Sequence, residues 1–290
     1  MRKITAVAAL LLLTALTRTL EERIQRIASE IDSTIGVAAL HVESGRRFSV
    51  RADEPFPMAS VYKLPVAIAF LREVDAGRYS LSSEVTVQPG DFSDGHSPLR
   101  ERAGGRPLTI TLREAVQAMV GQSDNMAADV LIRLTGGGRA VTGVVRDLGI
   151  SGIDVTADAY AGAAGETATP AAMLAVLERL YSQQAGLSKS SHDLLMRIMS
   201  TSSTGEHRIK AGAPDRATVA NKTGTLPGTV NDAGIITSPD GRHHVLIVVF
   251  TKDGRTSTMT QRERAVSLIT RSLYREFVGW TPWRRASRRQ

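Results

Sequence analysis

Apolar and polar residues alternate with recognisable periods along most of the chain, and the period changes twice. Residues Glu21–Ile31 carry apolar side chains three and four positions apart, which predicts an amphipathic helix. The apolar run Gly36–Val42 and the shorter run Arg47–Val50 flank a turn-forming segment, Glu43–Arg46, and predict a β-hairpin. Helical spacing then dominates the middle of the chain, and strand-like runs return near its end.

The middle of the chain is predicted to be mostly helical. Val61–Val74 is apolar on nearly every side, which is typical of a central, buried helix. Gln88–Pro107 is rich in glycine and proline and predicts a long surface loop. Thr169 followed by Pro170 predicts an N-cap and first turn, because a threonine hydroxyl caps a helix and proline needs no N–H partner there. The further predicted helices are Leu112–Val120, Asn125–Leu134, Gly138–Leu148, Pro170–Tyr181 and Ser190–Met199.

The last third of the chain returns to the strand pattern. Asp240-Gly241 separates two of the strand-like runs and is a hairpin signal. A final helix is predicted over Gln261–Phe277. The predicted strands are Ala217–Lys222, Val230–Thr237 and Val245–Thr251.

This order predicts an α/β (α+β) fold, in which helices from both chain ends flank one antiparallel sheet and an all-helical domain is inserted. The corresponding division assigns a signal peptide to residues 1–20, a sheet domain to 21–52 and 208–280, a helical domain to 53–207, and a basic tail to 281–290.

The N-terminus has the pattern of an export signal. Arg2 and Lys3 precede the apolar stretch Ile4–Leu16, and Glu21-Glu22 end it. The stretch is too short to span a bilayer as a mature helix. We therefore expect cleavage near residue 17, a periplasmic or secreted protein, and no stable membrane span after cleavage. An uncleaved membrane anchor is the alternative.

Composition narrows the classes of function. The hydrophobic content of 42% is ordinary for a soluble globular protein, and the absence of cysteine excludes disulfides and thiolate metal sites. The net charge of +7 comes mainly from arginines that are scattered rather than banded, so nucleic acid is not an expected partner. The one dense basic run, Trp283–Arg289, predicts a solvated tail, with weak attachment to an anionic surface as the alternative. We expect a monomer and assign no metal and no cofactor.

Ser60-Val61-Tyr62-Lys63 is the first candidate for chemistry. A serine hydroxyl needs a base to become a nucleophile, and residues three apart share a helix face. Lys63 can thus bring its amine near the Ser60 hydroxyl, and burial would lower its pKa into a useful range. The alternative is a helix start with an exposed lysine, but the following helix is too apolar to hold an idle charge on its buried side.

Two further motifs complete a set. Ser123-Asp124-Asn125 lies between two predicted helices, where an N-cap cluster is the structural alternative. Lys222-Thr223-Gly224-Thr225 follows an apolar strand; its hydroxyls and ammonium suit a carboxylate, and Gly224 allows close approach of a backbone or ligand. For the Lys222–Thr225 motif, the structural alternative is a polar strand end that runs into a loop.

The three motifs, about 60 and about 100 residues apart, together resemble the signature of class A β-lactamases and penicillin-binding proteins. The similarity extends over most of residues 35–277. Further phrases that are similar to the family are Phe56-Pro57-Met58-Ala59, Val74-Asp75-Ala76-Gly77, Ser97-Pro98, Thr169–Met173 and Asn231-Asp232-Ala233-Gly234.

The resemblance implies a role for each matching position. It makes Ser60 the residue that attacks the amide carbonyl, Lys63 a participant in removing its proton, and Ser123 the relay to the departing nitrogen. Asn125 would orient Lys63 and the substrate, and the N–H groups of Ser60 and Thr225 would form the oxyanion hole. Substrate carboxylate binding is implied for Lys222, Thr223 and Thr225, with Gly224 between them. His96 stands where the family usually has an aromatic gate residue; an exposed loop histidine is the alternative.

One departure concerns turnover. Class A enzymes carry Glu-x-x-x-Asn in the loop before the Thr-Pro helix, and that glutamate activates the water that hydrolyses the acyl-enzyme. Here the loop before Thr169-Pro170 is several residues shorter and lacks the pattern. Glu166 resembles the acidic residue that closes the loop, and Asp158 is a second candidate base. Acylation is therefore better supported than deacylation.

Three functions remain open at this stage. The first is hydrolysis of β-lactams, with slow deacylation. The second is a related hydrolase or transpeptidase-like enzyme that acts on D-Ala-D-Ala cell-wall peptides or another amide, and the third is a covalent β-lactam-binding protein without turnover. The segment from Ile153 to Glu166 discriminates them, because a general base within reach of Ser60 favours the first.

Overall fold

The computed structural model describes residues 19–92, 94–155 and 165–279. The expected signal peptide up to residue 18, the basic run Trp283–Arg289 and Asp158 lie outside the described residues. Among the described helices, none is both long and apolar enough to cross a membrane.

The long strands and helices follow the order that the periodicity predicts, and several short elements are added to them. The strands are β1 (Thr34–His41), β2 (Arg46–Val50), β3 (Phe56–Pro57), β4 (Glu84–Val87), β5 (Leu108–Thr111), β6 (Ile153–Asp154), β7 (Thr167–Ala168), β8 (Thr218–Leu226), β9 (Thr229–Thr237) and β10 (His244–Lys252). The helices are α1 (Leu20–Glu30), α2 (Lys63–Asp75), α3 (Pro98–Ala103), α4 (Leu112–Gly121), α5 (Asn125–Leu134), α6 (Gly138–Asp147), α7 (Pro170–Tyr181), α8 (Lys189–Ser200), α9 (Ile209–Gly212) and α10 (Met259–Val278).

A five-stranded antiparallel sheet joins the two ends of the chain, in the order β2-β1-β10-β9-β8. Its register places His41 opposite Val245, and Thr223 opposite Asp232. The turn between β9 and β10 contains Gly241 with φ of +70°, a conformation that glycine adopts without strain. The predicted antiparallel sheet and the Asp240-Gly241 turn are thus confirmed.

Each face of the sheet is covered by helices, so the side chains that point to either face are buried. One face, with Ala38 and Val248, packs into the same core as α2, α5 and α7. The other, with Val37 and Val249, packs against α1 and α10. Both terminal helices begin with a capping box, made by Thr19 in α1 and by Thr258 in α10. The division into two domains stays a prediction.

The central helix is preceded by a different element. Ala59–Tyr62 forms a 3₁₀ turn, and the α-helix begins only at Lys63. Residues 63–71 of α2 are all buried, which the all-round apolar pattern predicts. Thr169 caps α7 through the backbone N–H of Ala172, and Pro170 is its first residue, as the sequence predicts.

The glycine-rich segment 88–107 is more ordered than a loop. Pro89–Asp91 forms a 3₁₀ turn, and α3 begins at Pro98 under a Ser97 N-cap and ends at Gly104 with φ of +57°. The prediction of a long surface loop is therefore wrong for residues 89–91 and 98–103, which form a 3₁₀ turn and a short α-helix. A six-residue helix offers too little periodicity to stand out in the sequence.

Candidate active site

Ser60 lies in the 3₁₀ turn between β3 and α2, and its side chain is partly exposed. The residue before it, Ala59, has φ of +47°, a strained value for a residue with a Cβ. The turn is fixed from two sides: the Asn231 side-chain amide donates to the carbonyl oxygens of Pro57 (2.7 Å) and Met58 (3.2 Å), and the Met58 N–H donates to the Glu166 carbonyl (2.9 Å). The hydroxyl is thereby presented at a defined place beside the sheet.

Gly224 brings strand β8 against this turn. A Cβ at position 224 would lie 2.5 Å from the Met58 carbonyl oxygen and 3.0 Å from the Ser60 nitrogen. Both contacts are with backbone atoms that cannot rotate away, so only glycine permits this approach. The Lys222–Thr225 motif therefore lies directly beside Ser60, inside β8 rather than beyond its end.

Lys63 is buried, and its amine has two short hydrogen bonds. Its Nζ donates to the Ser123 carbonyl oxygen (2.7 Å) and to Asn125 Oδ1 (2.7 Å), and it lies 3.5 Å from Ser123 Oγ. Desolvation lowers the pKa of Lys63 to about 7, against the opposing effect of the Asp124 and Asp129 carboxylates. The prediction of a pKa lowered by burial agrees with this geometry. In the described residues the amine has no hydrogen bond to the Ser60 hydroxyl, because it is oriented by Ser123 and Asn125.

The Ser123–Asn125 segment is held in place by Asp124. The Asp124 carboxylate accepts hydrogen bonds from the N–H of Ala127 as the N-cap of α5, from the Ser97 hydroxyl, and from the N–H of Leu99. The capping interpretation is therefore correct for Asp124. Ser123 has φ of +62°, a strained conformation that aims its hydroxyl and carbonyl at the two lysines.

Lys222 approaches the same hydroxyl from the sheet. Its Nζ donates to Ser123 Oγ (2.9 Å) and to the Thr223 carbonyl oxygen (2.8 Å), and its side chain is fully buried. Desolvation and the nearby Lys63 hold the pKa of Lys222 well below its usual value. Ser123 Oγ therefore lies between two amines, one from the helical part of the chain and one from the sheet.

The two threonines of the motif have different partners. Thr223 Oγ1 donates to Thr204 Oγ1 (2.8 Å), whereas Thr225 Oγ1 accepts a hydrogen bond from the Arg208 guanidinium (2.7 Å) and is exposed. A hydroxyl that already accepts from a cation keeps its own proton available for a second acceptor.

Arg208 is a residue that the sequence reasoning missed. It is buried, its Nη1 donates to the carbonyl oxygens of Gly224 (3.0 Å) and Asn231 (2.9 Å), and its Nε pairs with Glu263 (3.1 Å). One arginine in an arginine-rich chain offers no sequence signal, because its partners Gly224, Thr225 and Asn231 are distant from it in the sequence. It adds a fixed positive charge beside Thr225.

Glu166 and His96 border the site differently. Glu166 is buried, burial raises its pKa, and its Oε2 has no hydrogen-bond partner in the part of the chain that the structure describes. His96 is exposed; its Nε2 lies 2.9 Å from the Gln122 carbonyl oxygen, and its own carbonyl accepts from the Asn125 N–H.

The structure thus brings seven predicted residues around Ser60: Lys63, Ser123, Asn125, Lys222, Thr223, Gly224 and Thr225. They come from three separate parts of the chain. The arrangement combines the partly exposed hydroxyl of Ser60 with the buried amine of Lys63, whose pKa is lowered. Lys222, Thr223, Thr225 and Arg208 form the opposite side of the site, which we call the cationic wall.

The chain is similar to known proteins over most of its length. The profile of the Beta-lactamase enzyme family matches residues 19–277. The extended-spectrum β-lactamase PER-1 of Pseudomonas aeruginosa is 30% identical over 267 residues, which cover 88% of this chain and 86% of PER-1. The crystal structure of a β-lactamase from Chitinophaga pinensis superposes with a TM-score of 0.82 at 33% identity, covering 89% of this chain and 99% of that chain.

A second similar structure was solved as a covalent complex with a β-lactam. It is a point mutant of PBP-A as an acyl-enzyme complex with penicillin G, with a TM-score of 0.81 and 25% identity, and it covers 89% of this chain and 96% of that chain. The family profile spans nearly all of the described residues. This chain belongs to the β-lactamase enzyme family.

Proposed function

We propose that this protein is a serine β-lactamase in which Ser60 is acylated by the β-lactam and the acyl-enzyme is hydrolysed slowly. The observation that carries the proposal is the state of Lys63, a buried amine beside the Ser60 turn with a pKa of about 7. A base whose pKa lies near the working pH is the most useful in proton transfer.

The hydrogen bonds of Lys63 suit a base. A neutral amine has two protons and one lone pair, and Ser123 O and Asn125 Oδ1 accept two hydrogen bonds at 2.7 Å each. The lone pair is then left to take the Ser60 proton. Asn125 orients the amine, which is the role that the family resemblance implies.

In acylation, Lys63 takes the proton of Ser60 and later returns it to the leaving nitrogen of the lactam. Ser60 Oγ passes its proton to Lys63 and bonds to the lactam carbonyl carbon, and the oxyanion is held by the N–H groups of Ser60 and Thr225. When the C–N bond breaks, the proton from Lys63 reaches the lactam nitrogen through Ser123 Oγ. The position of Ser123 Oγ, 3.5 Å from Lys63 Nζ and 2.9 Å from Lys222 Nζ, supports this relay.

The cationic wall binds the substrate carboxylate. Lys222, Thr223 and Thr225 supply an ammonium and two hydroxyls, and Arg208 polarises the Thr225 hydroxyl. Charge-assisted hydrogen bonds of this kind are stronger than neutral ones. The carboxylate in turn restores a counter-charge to the desolvated Lys222.

Deacylation lacks the family's usual base, since the loop before α7 has no Glu-x-x-x-Asn. Glu166 is the described candidate to replace it, with a raised pKa and, among the described residues, an unpartnered Oε2. Glu166→Gln and Asp158→Asn test the replacement. A variant that traps the acyl-enzyme while the wild type turns over rapidly would identify a relocated base and overturn slow deacylation.

Two alternatives share the same acylation chemistry. One is a peptidase of D-Ala-D-Ala cell-wall peptides, and the other is a protein that is acylated without turnover. The structural similarity to a point mutant of PBP-A, solved as an acyl-enzyme complex with penicillin G, supports both alternatives, because that related protein was observed in the acylated form. We also propose export through a cleaved signal peptide.

Stopped-flow hydrolysis of a chromogenic cephalosporin by the purified protein separates the three. We expect a burst close to one equivalent, followed by slow steady turnover. Zero turnover after the burst would identify a covalent binder, and release of D-alanine from a D-Ala-D-Ala peptide faster than cephalosporin turnover would identify a peptidase. Ser60→Ala is the control and should show neither burst nor turnover.

A further inference from the structure

Three side chains with metal-ligating atoms converge at the far end of the sheet from Ser60. His41 ends β1, Glu43 lies in the β1–β2 turn, and His243 directly precedes β10. One ligand atom from each lies within 4.8 Å of the others. His41 and His243 are 202 positions apart in the chain and meet because β1 pairs with β10.

The spacing of the ligand atoms fits a tetrahedral metal ion. His41 Nε2 lies 3.1 Å from a Glu43 carboxylate oxygen and 3.2 Å from His243 Nδ1. Zinc takes nitrogen and oxygen ligands at about 2.0–2.2 Å, so two ligands of one tetrahedron are roughly 3.3 Å apart. The observed separations already match an edge of that tetrahedron.

The outer contacts orient the ligands. His41 Nδ1 lies 2.7 Å from Ser44 Oγ, and a proton placed on Nδ1 by this contact leaves the Nε2 lone pair free. Glu43 is fixed by His244, whose backbone N–H (2.9 Å) and ring Nδ1 (2.6 Å) contact its two oxygens. Hydrogen bonds that orient the ligand side chains in this way are typical of metal sites in proteins.

The surroundings keep the site dry on one side and open on the other. The His41 ring is buried and stacks on Phe277, whereas the Glu43 side chain is 33% exposed. The charged group of Arg46, a near neighbour in the chain, lies over the Phe277 ring.

We propose that His41, Glu43 and His243 form a binding site for a divalent transition metal such as Zn²⁺, with a fourth position open to water. His41 is in β1 and Lys222 is in β8, three strands away in the sheet. Along the strands, His41 is three residue pairs beyond the row that contains Lys222. At the usual strand spacings, these offsets separate the two residues by roughly 15–20 Å. The site is therefore separate from the Ser60 chemistry, where no metal is assigned. Hard ions such as Mg²⁺ prefer all-oxygen sets and are excluded by the two imidazoles.

Equilibrium dialysis and titration calorimetry of the tag-free full-length mature protein with Zn²⁺ test the site. We expect one Zn²⁺ per chain, no binding of Mg²⁺, and an affinity that falls by about 100-fold or more in His243→Asn and in Glu43→Gln. Ser44→Ala, which removes only an outer contact, should lose about 10-fold. The matched control is His207→Asn, an exposed histidine outside the cluster, which should bind as the wild type does.

Circular dichroism verifies that each variant is folded, and both tested ligands are partly exposed, so their replacement leaves the core intact. The proposal is overturned if the wild type binds no Zn²⁺. It is equally overturned if Zn²⁺ binds with unchanged affinity in both His243→Asn and Glu43→Gln.

Discussion

At the scale of single residues, the amine of Lys63 links burial to chemistry. It is enclosed by α2 and the Ser123–Asn125 segment, and its pKa of about 7 follows from desolvation. Asp124 and Asp129 pull the pKa upward and so limit the shift. The same enclosure supplies the acceptors that orient the amine.

The first prediction concerns pH. Acylation needs neutral Lys63, so its rate constant should fall about tenfold per pH unit below about pH 7 and reach a plateau above it. Stopped-flow acylation between about pH 5 and 9 measures this fall of the rate constant, which is the acidic limb of the pH profile. Lys63→Arg should lose the limb together with most of the rate, because a guanidinium stays protonated.

A change in a neighbouring charge tests whether the limb belongs to Lys63. Asp129→Asn removes a carboxylate that raises the Lys63 pKa, so the limb should move to lower pH. A limb that stays in place in this variant would assign the titration to another group.

The second prediction concerns the substrate carboxylate. Lys222→Ala should reduce acylation by carboxylate-bearing lactams by roughly 30- to 1,000-fold, or about 2–4 kcal/mol, the loss for one partner of a desolvated charge pair. The matching methyl ester should lose much less, since it has no charge to pair. Equal losses for acid and ester would show that Lys222 acts only through Ser123.

At this scale, the sequence predicts a site where spacing and residue type combine. Lys63 follows Ser60 by three positions, and the two later motifs have distinctive residue types, so the family resemblance implies a role for each of them. Those roles stay predictions. Arg208 and the His41–Glu43–His243 cluster could not be found in this way. Their positions depend on which strands pair, and that is a tertiary property.

At the scale of elements, the close packing of β8 on the Ser60 turn assembles the site. Gly224 sits at the contact, and strand β8 continues through the Lys222–Thr225 motif to Leu226. The turn is also tied to β9 by Asn231 and to the residue before β7 by the Glu166 carbonyl.

The third prediction is that Gly224→Ala lowers acylation by about 100-fold and stability by about 1–3 kcal/mol, because its Cβ would force backbone atoms apart. Gly143→Ala in α6 is the matched control. Its Cβ would meet nothing within 4 Å, so it should be neutral or stabilise by up to about 1 kcal/mol. Acylation rates and urea unfolding measure both; an active, stable Gly224→Ala would contradict the packing argument.

The long helices and sheet strands were predictable because their periodicity is sustained over many residues. The short elements were not: β3, β6 and β7 have two residues each, and β4 pairs with β5 across a segment expected to be a loop. Pairing between distant short segments leaves no local pattern to detect.

At the scale of the whole molecule, both chain ends contribute to one sheet and its covering helices. The predicted sheet with helices from both ends is confirmed by the order β2-β1-β10-β9-β8. This closure was predictable, since strand-like runs occur only near the two ends of the pattern. How the helical segment sits on the sheet was not.

The fourth prediction concerns processing. The α1 capping box needs Thr19, so a signal peptidase that cuts between residues 17 and 18 would leave the cap intact. N-terminal sequencing of the exported protein should find a start between Arg18 and Glu21, and only a start at Arg18 or Thr19 keeps the capping box. A mature protein that retains Met1 would favour the anchor interpretation.

The most direct test of the account is a time course of intact-protein mass spectrometry with benzylpenicillin. We expect an adduct with the full mass of the penicillin within minutes, located on the Ser60 peptide, with slow recovery of the free enzyme and no adduct in Ser60→Ala. An equal adduct on Ser60→Ala would contradict Ser60 as the nucleophile. Rapid hydrolysis with no detectable adduct at any time would contradict slow deacylation.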